Sequence, residues 1–127
     1  MPKRVLIIDD EPDLVELMES EIRTLGVETL TAFDGAKGLQ IIKAEKPDLI
    51  LSDLNMPGVD GMEMLRILQE NKINTPVIFV TGFGDKEDMR QARVLGNFDF
   101  IEKPVDLEYL LHAVKTGLEF GFAEKKA

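Results

Sequence analysis
The 127-residue sequence predicts an α/β fold: a five-stranded parallel sheet, doubly wound, with strand order 2-1-3-4-5 and helices on both faces. Three observations carry this expectation. Short β-branched or aliphatic runs alternate with helical patterns five times along the chain, the signature of βα units. The first, third and fourth runs lack polar alternation, as central strands covered on both sides do. Apolar residues make up 44% and charged residues 31%, which is ordinary for one globular domain that buries a core without staples.

The elements follow in order. The first run is Val5–Asp9. Pro12 then marks a helix's first turn, and Leu14, Leu17, Met18, Ile22 and Leu25 form its predicted apolar stripe. The second run is Val27–Ala32, followed by a helix near Ala36–Ala44. The third run, Asp48–Ser52, precedes a helix over Gly61–Asn71. The fourth, Val77–Thr81, precedes a weakly amphipathic helix over Lys86–Leu95. The fifth, Phe98–Ile101, leads to a final helix striped by Leu107, Leu110, Leu111, Val114 and Leu118. At about 100° of rotation per residue, Tyr109, Ala113 and Phe120 are expected on that helix's outer face, roughly opposite the stripe. Five such units in this length give a flavodoxin-like topology, expected over residues 1–120 with a short tail at 121–127.

Composition excludes several functions. The chain has no cysteine, so disulfides, thiolate metal sites and cysteine nucleophiles are excluded, and a reducing cytoplasm fits that absence. Only four apolar residues, Val5 to Ile8, precede the first acids, too few for an export signal, and nothing approaches a membrane span. With 24 acidic against 15 basic residues the net charge is −9, opposite to a general nucleic-acid binder.

The topology says where function should sit: beyond the carboxyl ends of the strands, where strand order reverses between the first and third. Strand one ends in Asp9 and Asp10, strand three meets Asp53, strand four ends in Thr81, and strand five runs into Lys103-Pro104. Each residue has an ordinary reading. Asp10 or Asp13 can cap a helix, Asp53 precedes the turn formers Asn-Met-Pro-Gly, and a single lysine is usually solvated. Together they are harder to dismiss. Two carboxylates about 4 Å apart repel by roughly 4 kcal/mol at an effective dielectric near 20, so three of them need a cation. Oxygen ligands without His or Cys suit Mg²⁺. A carboxylate beside Mg²⁺ can attack phosphorus and form an acyl phosphate, with Lys103 and the Thr81 hydroxyl on the phosphoryl oxygens.

Four segments carry a resemblance: Val5-Leu-Ile-Ile-Asp-Asp-Glu-Pro12, Asp53-Leu-Asn-Met-Pro-Gly-Val-Asp-Gly61, Val77-Ile-Phe-Val-Thr-Gly82 and Gly96-Asn-Phe-Asp-Phe-Ile-Glu-Lys-Pro104. Over about Lys3 to Leu118 the chain resembles the receiver domains of two-component response regulators. The resemblance implies that Asp53 is the phosphoacceptor and that Asp9, Asp10, Asp53 and the Asn55 backbone carbonyl hold Mg²⁺. It implies that Thr81 and Lys103 sense the phosphoryl group, that Phe100 is a switch aromatic, and that Lys103-Pro104 is a cis peptide. Asn97 and Phe98 depart from the small or acidic residues many relatives carry there.

The implied protein is a signalling switch rather than a turnover enzyme, one that catalyses its own phosphorylation and dephosphorylation. Its donor would be a sensor histidine kinase or phosphotransfer protein. Its output would be altered affinity for a downstream protein or for a second copy, through the fourth helix, fifth strand and fifth helix. Neither membrane nor direct nucleic-acid binding is expected, and no output domain follows within these residues. Three rival readings share parts of this pattern: a metal-dependent aspartyl phosphatase, disfavoured because Asn55 stands where its second acid belongs; a flavodoxin-type carrier, whose flavin phosphate the acidic first loop would repel; and a phosphate-independent binding module, disfavoured because every required site residue is present.

Overall fold
In the computed structural model, which describes residues 2–82 and 86–126, with side chains to residue 119, five parallel strands form one sheet of order β2-β1-β3-β4-β5. The strands are β1 (Arg4–Ile8), β2 (Glu28–Ala32), β3 (Leu49–Ser52), β4 (Val77–Thr81) and β5 (Asp99–Glu102). The helices are α1 (Pro12–Arg23), α2 (Gly35–Glu45), α3 (Gly61–Glu70), α4 (Lys86–Leu95) and α5 (Leu107–Lys126). The expected order is therefore the observed one. The backbone of α5 continues through Lys126, so positions 121–126 of the expected tail extend that helix.

Burial follows the apolar pattern. β3 and β4 are buried at every residue and β1 at all but Arg4, whereas the edge strands β2 and β5 are only partly covered. One core layer packs α2, α3 and α4 on Leu6, Ile8, Ile50 and Phe79. The other packs α1 and α5 on Val5, Ile7, Leu49, Leu51, Ile78 and Val80.

Local chemistry fixes the helix starts. Pro12 occupies the first turn of α1, where a missing N–H costs nothing. Asp34 accepts a hydrogen bond from the Lys37 amide and Asp60 from the Glu63 amide, capping α2 and α3. Neither Asp10 nor Asp13 caps α1: the cap position is Glu11, without a side-chain bond.

Two expected helix faces need correction. Leu17, placed on the core stripe of α1, is 46% exposed, and Val15 takes its place beside Met18 and Ile22. Ala113, placed on the outer face of α5, is 2% exposed and lies in the core with Leu110 and Val114. The small residues of α5 mark its closest approach to the sheet. A Cβ built on Gly117 would lie 2.8 Å from Leu49 Cδ1 and 3.5 Å from the Phe98 ring. The buried face is therefore centred toward Ala113 and Gly117, not on the leucines alone. Tyr109 does face outward, at 41% exposure, and the side chain of Phe120 lies outside the described residues.

Candidate functional site
The parallel register brings the ends of β1, β3, β4 and β5 level. Ile8 lies beside Ser52, Ser52 beside Phe79, and Thr81 beside Glu102. The residues following these ends converge on one edge, at the switch point between β1 and β3. Asp9 and Asp53 are buried and Asp10 is exposed, and carboxylate oxygens of the three lie within 4.8 Å of one another. The turns hold two of them: Asp9 Oδ1 accepts the Glu11 amide at 2.9 Å, and Asp53 Oδ1 accepts the Asn55 amide at 3.0 Å. The ordinary reading of Asp53 as a turn residue is thus also correct. One oxygen shapes the turn, leaving Oδ2 for the site.

Lys103 supplies the counter-charge. Its Nζ lies 3.0 Å from Asp53 Oδ2, 3.1 Å from Asp9 Oδ2 and 3.1 Å from Glu11 Oε1. Burial alone would lower the lysine pKa, but the hydrogen bonds to Asp53 and Glu11 and the ion pair with Asp9 overcome it and raise the value well above the ordinary 10.5. For Asp9 burial wins. It raises the carboxyl pKa by more than the Glu11 amide and the Lys103 ammonium lower it. The Asp9 contact is close in distance without the geometry of a hydrogen bond, so Asp9 Oδ2 is buried with no donor among the described residues. The Thr81 hydroxyl is likewise buried without a partner among them.

These orphaned atoms test whether a hard cation fits. A buried carboxylate oxygen without a hydrogen-bond donor, within 4.8 Å of two more carboxylates and with no imidazole or thiolate in the cluster, is a donor set for a hard cation such as Mg²⁺ rather than for zinc or copper. The residues present fit the ion.

Gly61 sets the floor of the site. A Cβ there would lie 2.7 Å from the Asp53 carbonyl oxygen, 2.7 Å from Phe79 Cε1 and 2.9 Å from Leu54 Cα, two of them backbone atoms that cannot swing aside. Gly61→Ala is therefore expected to destabilise the protein by about 1–3 kcal/mol, read as a lower denaturant midpoint at unchanged slope. At Gly82 the nearest such contact is Lys103 Cδ at 3.9 Å, leaving room above Thr81.

Of the residues expected from sequence, Asp9, Asp10, Asp53, Thr81 and Lys103 thus stand at the aligned strand ends. Asn55 is present through its amide. Phe100 packs on Phe79 in the neighbouring strand, and Lys103-Pro104 is cis. Sequence reasoning gave Glu11 no role, although it binds Lys103; its position next to the acidic pair was the available signal. The contact of Arg93 with Phe100 was also missed, because nothing local in the sequence relates α4 to β5.

An acidic cluster with a half-buried lysine at the switch point of this sheet suits a phosphoryl-accepting signalling domain. Comparison with known proteins agrees: residues 5–115 match the response regulator receiver domain family, and the chain belongs to it. It is 37% identical over 118 residues to the transcriptional regulatory protein GlrR of Escherichia coli K12, covering 93% of this chain and 27% of that protein. The chain therefore spans only about a quarter of that relative's length. It is 32% identical to sporulation initiation phosphotransferase F of Bacillus subtilis, covering 93% of this chain and 95% of that protein. A CheY-like receiver domain protein from Methanospirillum hungatei superposes with a TM-score of 0.90 at 28% identity, covering 100% of both chains. The chain is thus a receiver of the phosphoaccepting, two-component kind, a family that takes phosphoryl groups from histidine kinases and binds Mg²⁺ at an acidic pocket. Among the described residues no helix is long and apolar enough to cross a membrane.

Proposed function
We propose that Asp53 is the phosphoacceptor, that Asp9, Asp10, Asp53 and the Asn55 carbonyl hold Mg²⁺, and that Thr81 and Lys103 receive the phosphoryl oxygens. The observation that carries this reading is the Lys103 ammonium resting on Asp53 Oδ2 inside a cluster of three carboxylates. Bound Mg²⁺ would supply positive charge to the transferring phosphoryl group. Asp53 is held for attack by the Asn55 amide on Oδ1. Its oxygen forms a bond to phosphorus as the phosphorus–nitrogen bond of a donor phosphohistidine breaks. The electron pair returns to the imidazole, which takes a proton. Lys103 moves its contact from Oδ2 to the phosphoryl oxygens, and the unpartnered Thr81 hydroxyl donates to one of them.

The protein thereby catalyses its own phosphorylation, and hydrolysis of the resulting carboxyl–phosphate anhydride would reset it. Drawing Thr81 toward the phosphate would vacate space for Phe100, changing the surface of α4, β5 and α5. That surface exposes Val94 and Tyr109, and we propose it as the contact for a downstream protein or a second copy. The net charge of −9 argues against direct nucleic-acid binding by these residues.

Acetyl phosphate with Mg²⁺ should add one phosphoryl group by intact mass, mapping to the peptide that holds Asp53, and chelation should prevent it. Labelling that survives chelation would overturn the reading.

The metal set has its own test. Asp10 is exposed and pairs with no cation among the described residues, so Asp10→Asn only relieves repulsion. Solvent screens that relief to about 1 kcal/mol or less, a rise of a few degrees in the metal-free melting temperature. Saturating Mg²⁺ should stabilise the wild type by roughly RT ln(1 + [L]/Kd), about 2.7 kcal/mol at a hundred times Kd, and stabilise Asp10→Asn far less. Equal metal stabilisation of both proteins would remove Asp10 from the ligand set.

A further inference from the structure
Phe100 is held from several sides, and one hold comes from a residue with no part in the acidic site. Its ring centroid lies 5.9 Å from that of the fully buried Phe79, with the planes 31° apart. The Arg93 guanidinium, from the last turn of α4, stands 5.6 Å from the same ring. The Phe100 amide donates to Asp99 Oδ1 at 2.8 Å, and Asp99 Oδ2 accepts the Tyr109 hydroxyl of α5 at 2.8 Å. The backbone is thus tied down, and the freedom left to Phe100 is rotation of its side chain. No carboxylate pairs with Arg93 among the described residues, so the ring is the partner found for its charge.

We infer that Arg93 is a positioning residue for Phe100: its guanidinium holds the ring where it lies and opposes the movement that phosphorylation requires. This rests on the proposed phosphoacceptor and switch roles of Asp53 and Phe100. An inward turn of the ring gives up the cation–π contact, so phosphorylation must displace Arg93 to complete the switch. By linkage, whatever Arg93 contributes to the resting arrangement it subtracts from affinity for a phosphoryl group at Asp53. The bland account is a charge placed favourably at a helix carboxyl terminus, indifferent to Phe100.

The test is a cycle read by calorimetric titration of beryllofluoride, a phosphoryl mimic, in the presence of Mg²⁺. Arg93→Gln should bind it about two- to five-fold more tightly than wild type, the factor an exposed cation–π contact supplies. Arg93→Lys, which keeps a cation, should lie between them. In a Phe100→Leu background Arg93→Gln should have no effect. In the metal-free protein, the Phe100 ring resonances should shift on Arg93→Gln, a readout independent of ligand. Unchanged or weaker binding by Arg93→Gln, or the same effect with Leu at position 100, overturns the role of Arg93 alone. Binding by Asp53→Asn as tight as wild type, or none by wild type, overturns the phosphoacceptor reading and this inference with it.

Discussion
Asp53→Asn is expected to abolish phosphoryl uptake from acetyl phosphate and Mg²⁺, a loss of roughly 10³-fold or more, because it removes the nucleophile itself. The substitution is conservative in shape. An asparagine carbonyl can still accept the Asn55 amide, which lies 3.0 Å from Asp53 Oδ1, so the turn survives. What goes is the charged oxygen that attacks phosphorus and one of the three carboxylates that gather the metal. The competing account places the nucleophile at Asp10, exposed and within 4.8 Å of the same cluster, and it predicts labelling that persists without Asp53. Intact mass is the appropriate readout, since the chain has no tryptophan whose emission could report. The stability of Asp53→Asn should change little, because the repulsion it relieves among the acids is set against the ion pair it takes from Lys103.

The strand ends were legible because a parallel sheet places every carboxyl end on one edge, so five short runs and their terminal polar residues suffice to assemble Asp9, Asp53, Thr81 and Lys103. The central place of β1, β3 and β4 followed from their lack of polar alternation, and β3 and β4 prove buried at every residue. Helix faces were less legible. A helical wheel weights large apolar residues, yet α5 approaches the sheet closely at its small residues Ala113 and Gly117, and this extends its buried face beyond the leucine stripe. On α1 the true face is centred on Val15, Met18 and Ile22, which leaves Leu17 at its margin. Contacts between distant segments were not legible at all. Nothing in the sequence ties Glu11 to Lys103 across the sheet edge, or Arg93 to Phe100 across the α4–β5 connection, because such pairings depend on side-chain reach in the folded chain.

Lys103→Met is expected to injure stability and function together, and more deeply than loss of any single acid. Its ammonium, on a side chain only 15% exposed, is the cation shared by Asp9, Asp53 and Glu11. Methionine keeps much of the stem's packing and removes the charge, which leaves Asp9 and Asp53 as buried carboxylates with nothing to offset them. Removing one partner of a buried pair costs about 3–5 kcal/mol; water at the open edge discounts this toward about 2 kcal/mol. Mg²⁺ should restore part of that loss by taking over the counter-charge, so the gap between mutant and wild type should narrow with metal and widen with chelator. Because the lysine pKa is raised, the stability its charge contributes is full below the ordinary value of 10.5 and is lost only as pH rises through the higher folded value. The gap in the metal-free proteins should therefore persist through neutral pH, closing in strong alkali as the lysine loses its proton and in acid as the carboxylates it pairs with gain theirs. Phosphoryl uptake should slow by about 10²-fold or more even with Mg²⁺ saturating, since a donor aimed at the transferring oxygens is gone. A surface lysine with no share in the cluster would leave melting temperature, metal dependence and labelling as they are in the wild type, and that result would remove Lys103 from the site.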